Sequence, residues 1–477
     1  MSPDAGPGRA PTEPALPAPT AGAGRGAAAG ERGGGPPAGD RGGGPAAGER
    51  GGGPAFPPLP TQPEETGLPF SFVCDLILKI LYFGGSMFGR DVARRVCLPW
   101  PMVAEVLKFL SQEGYCGTTG LRGSVAAHET FAEGLQYLIS NAGRERTREI
   151  LGINQYAGPA PVPLDRYVDL ARIQARESPP ITDASLRGVL QGLVLPESVL
   201  EQLGPGLISR QAIFLYGPPG NGKSSLAGAC AALLGHPIFI PHALYVHGEV
   251  IRVFDPMHHR QVSRRLPVHD PRWVLCHRPV VRVGGELSGR ELYLGFDRDL
   301  GFYEAPLQLK ANGGLFLIDD FGRQPIPPRE LLNRLIVPLE AGYDFLNIAR
   351  AGTTVAVPFT EILILATNLD PEQLVDEAFL RRVRYKVGVP NPTDAQFKEI
   401  LRRVCRDRGL GYDERVVEDC LQRHYRATGR SLHGCHPRDL VDYVVNSARY
   451  QGEVPVLSTA SLDQAVRGYF ASLGSPA

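Results

Sequence analysis

The sequence predicts an α/β fold with a parallel sheet at its centre and a helical C-terminal part. A short apolar strand at 212–216 runs into a glycine-rich loop and then into a helix. A second apolar strand, at 313–318, ends in two carboxylates. After Pro390-Asn-Pro392, helical periodicity replaces the strand patterns. Because both strands are apolar without alternation, we expect them to be buried on both faces of a parallel sheet.

The glycine-rich loop, Gly217–Ser224, has every part of a phosphate-binding loop. Its glycines allow a tight turn that brings backbone N–H groups up to phosphate oxygens. Lys223 places a positive charge near the β- and γ-phosphates, and Ser224 offers a hydroxyl to Mg²⁺. The N-terminus of the following helix adds partial positive charge. The predicted nucleotide-binding residues are Gly217, Pro218, Pro219, Gly220, Asn221, Gly222, Lys223, Ser224 and Ser225.

The second strand supplies the carboxylates that such a loop needs. Asp319 follows the strand directly, and a carboxylate in that place holds the Mg²⁺ shell in phosphoryl-transfer sites. Asp320 is then placed to polarise the attacking water. The sequence therefore predicts ATP and Mg²⁺ as ligands, with Ser224 and Asp319 on the metal.

Taken in order, these motifs resemble those of the AAA+ ATPases over roughly residues 184–470. Walker A is Gly217–Ser224 and Walker B is Leu315–Asp320. The apolar run 362–368 is similar to the sensor 1 strand of the family. The resemblance implies that Asn368 orients the lytic water together with the second acid.

The same resemblance extends to three arginines. Phe379-Leu380-Arg381-Arg382 lies where the family has arginine fingers, just before the last core strand. It implies that Arg381 or Arg382 acts on the nucleotide of a neighbouring subunit, and which of the two does so stays open. Arg438, near the start of a late helix, matches the sensor 2 arginine. Arginine suits both roles because its charge is permanent and its planar fork spans phosphate oxygens. The expected assembly is a homo-oligomeric ring, a hexamer.

The stretch between the two Walker motifs is longer than a bare core needs, so we predict an insertion at 241–310, including the β-like run Val280–Val283. With a hairpin candidate at 343–358, this looks like the MoxR-like, helix-2-insert type of AAA+ ATPase. The resemblance implies hydrolysis of ATP to remodel a macromolecular partner, a protein client of unknown identity. Most of the family has Glu where this chain has Asp320, so a non-hydrolysing, ATP-binding switch stays an alternative.

The chain before the motor divides into three predicted parts. Residues 1–65 are rich in Gly, Pro and Ala, and we expect a disordered tail because they bury too little apolar surface to offset chain entropy. Residues 66–155 resemble a winged helix-turn-helix domain, with three helices, a hairpin and a closing helix. Lys108 is the only cation of the third helix, so protein docking is favoured over DNA binding. A DNA-linked motor, such as a transcription activator or helicase loader, stays an alternative. Residues 156–183 read as a Pro-rich, semi-rigid linker with one short helix near Tyr167–Ala175.

The remaining boundaries are an ATPase core at 184–389 and a lid of four helices at 390–477. Lys plus Arg and Asp plus Glu are 50 each, which argues against a strongly electrostatic nucleic-acid binder. The eight cysteines form no Cys-x-x-Cys pair, which is typical of a reducing compartment. No apolar run approaches the length of a membrane span, and the N-terminus lacks an apolar signal core. The predicted location is cytoplasmic.

Overall fold

The computed structural model of the protein describes residues 56–121, 133–177, 179–264, 266–370 and 381–470. The predicted tail falls mostly on residues 1–55, which lie outside that range. At its C-terminal end the tail prediction is wrong. Phe56 packs edge-on against Phe239, with ring centroids 5.4 Å apart, and the Asp270 N–H donates to the Pro57 carbonyl (3.0 Å). Composition alone could not reveal the distant surface that buries this segment.

The first folded region packs three helices and a closing helix around a small antiparallel sheet. Apolar residues of the first helix, among them Ile77 and Ile80, are fully buried against Val103 and Leu107 of the third. The sheet has the order β1-β3-β2. The predicted helices and strands occur in the predicted order. That this region is a winged helix-turn-helix domain is our interpretation of that order. The elements are α1 (Phe70–Gly84), β1 (Ser86–Phe88), α2 (Gly89–Val96), α3 (Trp100–Gln112), β2 (Cys116–Leu121), β3 (Leu135–Ile139) and α4 (Asn141–Leu151).

Residues 156–183 contain the short helix that the sequence predicts near Tyr167–Ala175, but the middle of this segment is not a spacer. Strand β4 (Val162–Pro163) pairs with the insertion, and helix α5 (Leu164–Arg176) packs beside it. Tyr167 on this helix is buried and stacks near Trp273. Pro163 stands at the N-cap of α5, where proline starts a helix rather than breaking it. The prolines that suggested a spacer therefore border a buried, amphipathic helix.

A five-stranded parallel sheet forms the centre of the molecule, in the order β10-β13-β16-β5-β17. Every neighbouring pair in it is parallel. The prediction that Val280–Val283 lies in the insertion is wrong, because this run forms β10, an edge strand of the central sheet. An isolated four-residue apolar run does not reveal which sheet it will join. The strands are β5 (Ile213–Tyr216), β10 (Val280–Val283), β13 (Leu315–Ile318), β16 (Ile362–Thr367) and β17 (Tyr385–Gly388).

The insertion forms a second sheet in the order β11-β12-β8-β7-β4, together with a two-stranded pair, β6 and β9. The second sheet mixes parallel and antiparallel pairs. With α5 it encloses a hydrophobic core of its own. The strands are β6 (Ile238–Pro241), β7 (Ala243–Val246), β8 (Glu249–Arg252), β9 (Trp273–Cys276), β11 (Gly295–Asp297) and β12 (Phe302–Glu304).

Helices flank the central sheet, and the predicted hairpin precedes β16. Side chains of its first strand alternate between exposed and buried. Its two strands, β14 and β15, pair antiparallel from Tyr343–Pro358 to Ile348–Thr353. The elements are α6 (Asp183–Leu190), α7 (Glu197–Ser209), α8 (Lys223–Cys230), α9 (Leu307–Ala311), α10 (Pro328–Ala341), β14 (Tyr343–Ile348) and β15 (Thr353–Pro358).

Four helices follow the last strand and enclose a separate apolar core. The first begins with the capping box that Thr393 and Gln396 predict. The described residues thus form a mixed α/β fold, with a parallel five-stranded sheet and C-terminal helices. Within the described residues, no helix combines the length and apolar composition that crossing a bilayer requires. The lid helices are α11 (Asp394–Arg408), α12 (Glu414–Leu421), α13 (His436–Gln451) and α14 (Thr459–Tyr469).

Candidate nucleotide-binding site

The glycine-rich loop joins β5 to α8 at the carboxyl end of the central sheet. Gly217, Gly220 and Gly222 have φ angles of 137°, 76° and 78°, which favour glycine. A Cβ on Gly217 would lie 2.3 Å from the carbonyl oxygen of Val389, so the loop passes too close to β17 for any side chain. Helix α8 begins at Lys223 and points its N-terminus at the loop.

Lys223 lies across this loop. Its Nζ donates to the carbonyl oxygens of Gly217 (2.8 Å) and Pro218 (2.9 Å). Burial lowers the pKa of the Lys223 ammonium, while the charges of Asp319 and Asp320 act in the opposite direction. The side chain is thus positioned on the loop and feels both carboxylates.

Asp319 and Asp320 follow β13, in the turn beside the loop. The Asp319 N–H donates to the Val283 carbonyl (2.7 Å), which ties the turn to β10. The Oδ2 of Asp319 lies 2.5 Å from Nη2 of Arg282, and its Oδ1 accepts the Asp320 N–H (3.1 Å). Asp320 has a φ of 49°, unusual for a residue with a Cβ. The Gln324 amide donates to the Asp319 carbonyl (3.0 Å), which holds this turn.

Asn368 follows β16, between the Walker B strand β13 and the loop strand β5. Thr367 fixes the strand end, because its Oγ1 donates to the Phe321 carbonyl (2.8 Å) and accepts the Leu369 N–H (3.1 Å). In the described part of the chain nothing hydrogen-bonds the buried Oδ1 of Asn368. A buried polar atom of this kind needs a water or a ligand as its partner.

The lid meets the loop through Asn221. Its Nδ2 donates to the Pro390 carbonyl (3.1 Å) and to Asn391 Oδ1 (2.9 Å), and its Oδ1 accepts the Gly434 N–H (2.9 Å). His433 Nδ1 lies 2.9 Å from the Pro219 carbonyl. Core and lid therefore contact each other at the loop itself.

A cleft of about 510 Å³ lies between core and lid and brings most predicted site residues together. Gly217 and Pro218 are not among the described residues that bound it. Apolar side chains that line the cleft include Leu193, Ile400 and Val404. The predicted residues that line it are Pro219, Gly220, Asn221, Gly222, Lys223, Ser224, Ser225, Asp319, Asp320, Asn368 and Arg438.

Arg381 and Arg382 are exposed and do not belong to the described lining of this cleft. The Arg382 Nε donates to Glu340 Oε1 (2.7 Å) on α10. Phe379 and Leu380, which precede them, lie outside the described residues. The described lining of the cleft therefore contains the other catalytic candidates without these two arginines.

Sequence reasoning missed several residues of the cleft. Arg403 of the lid lines it and donates to the Gln191 carbonyl (2.7 Å). Arg282 and Gln324 contact the carboxylate turn. Arg282 has a signal in the sequence, because it is a lone charge in an apolar run. The role of Arg403 depends on how lid and core meet, whereas Gln324 contacts a turn only a few residues before it.

The donor set fits Mg²⁺. The Ser224 hydroxyl and the Asp319 carboxylate both line the cleft, and Mg²⁺ prefers oxygen ligands that leave room for water and phosphate. Among the described residues no group of three or more His, Cys, Asp or Glu side chains could hold a different metal ion.

Comparisons with known proteins match parts of the chain. A family model described as "Domain of unknown function (DUF8689)" matches residues 393–468, within the lid. NtrX from Brucella abortus in complex with ADP is 16% identical with a TM-score of 0.37, over 65% of this chain and 63% of NtrX. A point mutant of RuvB from Thermotoga maritima is 14% identical with a TM-score of 0.34, over 57% of this chain and 69% of RuvB.

This chain thus spans less than two thirds of the NtrX chain. No curated protein sequence matches it. Both solved structures, NtrX and RuvB, have low sequence identity to this chain, and they identify no family for it.

Proposed function

We propose that this protein is an Mg²⁺-dependent ATPase that hydrolyses ATP to remodel a macromolecular partner. The observation that carries the proposal is the convergence of the candidate residues on one cleft. They come from the loop, two strand ends and the lid, and few unrelated functions need this set together. The residues are Lys223, Ser224, Asp319, Asp320, Asn368 and Arg438.

Each of these groups has a part in the proposed reaction. Loop N–H groups and the start of α8 hold phosphate oxygens, and Lys223 adds a point charge. Ser224 and Asp319 would hold Mg²⁺, which when bound neutralises charge on the phosphates. Asp320 accepts a proton from the attacking water and Asn368 orients that water, a role that agrees with its unpartnered Oδ1 among the described residues.

The shape of the cleft supports a nucleotide as its ligand. Its volume of about 510 Å³ lies within the range of small-molecule sites, about 300–1,000 Å³. Its lining combines the phosphate loop with apolar side chains such as Leu193, Ile400 and Val404. Apolar side chains suit an adenine ring, while the triphosphate would lie on the loop.

The proposed working form is a homo-oligomeric ring, a hexamer. Arg381 and Arg382 are exposed, and an arginine that acts on a neighbour's phosphate must lie at the surface. Arg438 would sense the γ-phosphate from the lid of the same chain. The finger role, and the choice between Arg381 and Arg382, rest on the family resemblance.

The proposed type is MoxR-like, and the proposed partner is a protein. The insertion sheet and the β14–β15 hairpin support the type. The exposed face of α3 carries Glu105 and Lys108 rather than a row of cations, which favours protein over DNA as the partner of the N-terminal domain. A DNA-linked motor is the alternative, and stimulation of ATP turnover by duplex DNA would support it instead.

The direct test is phosphate release from ATP by the full chain, in Mg²⁺ and in EDTA. We expect turnover in Mg²⁺ alone, and its loss in Lys223→Ala. Nucleotide binding without phosphate release would support the switch alternative. That alternative arises because Asp320 is shorter than the Glu that most of the family has in its place. A wild-type chain that binds no nucleotide under either condition would contradict the proposal.

A further inference from the structure

We infer that Arg282 sets the Mg²⁺ dependence of nucleotide binding by competing with the metal for Asp319. The inference rests on the proposed function, since it requires nucleotide and Mg²⁺ in the cleft. Strands β10 and β13 are parallel, with Arg282 opposite Leu317, two residues before Asp319. From there the Arg282 Nη2 reaches the Asp319 Oδ2 at 2.5 Å.

Both oxygens of the Asp319 carboxylate are engaged by protein donors. Arg282 donates to Oδ2, and the Asp320 N–H donates to Oδ1 (3.1 Å). Lys223 gives its hydrogen bonds to Gly217 and Pro218, so Arg282 is the cation in direct contact with Asp319 among the described residues. A charge-assisted bond to an arginine makes that oxygen less available to a metal shell, because both cations need the same negative charge.

The position of Arg282 also allows its ion pair with Asp319 to break. It belongs to the edge strand β10, and its side chain is 58% exposed, whereas that of Asp319 is 14% exposed. An ion pair with one solvent-exposed partner contributes little to stability. The competition is therefore finite, and metal binding is weakened by Arg282 rather than blocked.

The two states differ in a way that binding can measure. Without metal, Arg282 neutralises Asp319 and so reduces the repulsion between this carboxylate and the phosphates. With metal, Arg282 must give up its bond. Removing Arg282 should thus weaken nucleotide binding in EDTA and strengthen it in Mg²⁺, so the ratio of the two Kd values rises.

The experiment measures the Kd of a fluorescent ADP, mant-ADP, for the full chain in EDTA and in saturating Mg²⁺. ADP avoids turnover, so the readout is binding alone. We expect Arg282→Gln to raise the ratio Kd(EDTA)/Kd(Mg²⁺) about three- to fivefold over wild type. Arg282→Lys, which keeps a charge without the planar fork, should give a smaller rise.

Arg252→Gln is the matched control. Arg252 is a strand arginine with a side chain 50% exposed, and its Nε lies 2.7 Å from Glu304 in the insertion, outside the cleft. Its loss should leave the ratio unchanged.

An Arg282→Gln chain whose two Kd values change by the same factor would overturn the inference. A purely structural role, or direct contact of Arg282 with phosphate, would give that result. A wild-type chain that does not bind mant-ADP in either condition would instead overturn the proposed function, and the inference with it. Binding with an unchanged ratio overturns the Arg282 inference alone.

Discussion

The two larger sheets of this protein use paired charges in different ways. In the central sheet the carboxylates of Asp319 and Asp320 stand just beyond the end of the apolar strand β13 and line the cleft. In the insertion an ion pair is buried. Arg272 is 1% exposed, and its guanidinium donates to both oxygens of Asp270 and to the carbonyl of Thr66.

The difference separates charges that act on a ligand from charges that hold the chain together. Arg272 also donates to the Pro161 carbonyl, so one buried side chain joins three distant segments. We expect substitutions at the end of the central sheet to change binding or turnover, and substitutions inside the insertion to change stability. The following experiments test that contrast.

The largest effect is expected from Asp320→Asn. An amide cannot accept the proton of the attacking water, so phosphate release should fall by about 10²–10⁴-fold. Because the substitution preserves size, the Kd for ATP and the midpoint of urea unfolding should stay near the wild-type values. Unchanged turnover would remove Asp320 from the role of base.

The insertion should respond to Arg272→Met with a loss of stability. The change leaves Asp270 buried without its partner, at a cost of about 3–5 kcal/mol in the free energy of unfolding. Urea unfolding followed by circular dichroism measures it. Arg252→Gln, at an exposed ion pair, is the control and should cost less than about 1 kcal/mol. If both variants were equally stable, the buried pair would not have the structural role assigned here.

Lys223→Ala should act on binding. Losing a charged donor to phosphate costs at least about tenfold in Kd for mant-ADP, while the fold should persist. The matching control is Lys398→Ala on the lid surface, outside the cleft, with the Kd unchanged. A Lys223→Ala chain that binds as tightly as wild type would contradict the phosphate-loop role.

The surface arginines test whether the site needs a second subunit. Arg382→Ala should spare mant-ADP binding and lower phosphate release. Because the finger acts on a neighbouring subunit, wild-type turnover per chain should rise with protein concentration, and the difference between the two chains should grow with it. Normal turnover in Arg382→Ala together with a dead Arg381→Ala would move the finger role by one residue. If neither variant affects turnover, the finger assignment is wrong.

The smallest expected effect is the loss of folding stability at acidic pH. Burial lowers the pKa of His259 in the insertion to about 4, and its ring lies between the Asp255 N–H and the Lys310 carbonyl. The unfolded chain binds the proton more readily, at its ordinary pKa of about 6.5, so stability falls as the pH drops from 6.5 towards 4.

Between pH 7 and pH 5.5 the loss from this histidine is about 1 kcal/mol in the free energy of unfolding. His259→Gln should therefore show a smaller loss over the same pH range in urea unfolding. An equal pH dependence in both chains would exclude His259 as its cause.

How far the sequence predicts the structure depends on the span of each interaction. The loop, the carboxylates and Asn368 are found from sequence because each lies directly at a strand end, within a few residues of the pattern that marks it. The lid helices are found because their capping and periodicity are local, as at Thr393 and Gln396. The pairing of Arg282 with Asp319 requires knowing that β10 lies beside β13.

The errors have the same physical origin. Residues 56–60 and 162–176 contain or border several prolines, and composition cannot reveal that a distant sheet will bury them. The assignment of Val280–Val283 to the insertion is wrong because a short apolar run pairs equally well with either sheet until all strands are present.

Local sequence was thus enough to locate the candidate residues of the cleft and the chain order of its strands and helices, because strand ends, loops and caps are set by neighbouring residues. Which surfaces those elements share follows from the tertiary fold. The fold brings Arg282 to Asp319 and joins Asn221 to the lid. These contacts join residues far apart in the chain, and their energies exist only once the intervening segments have folded.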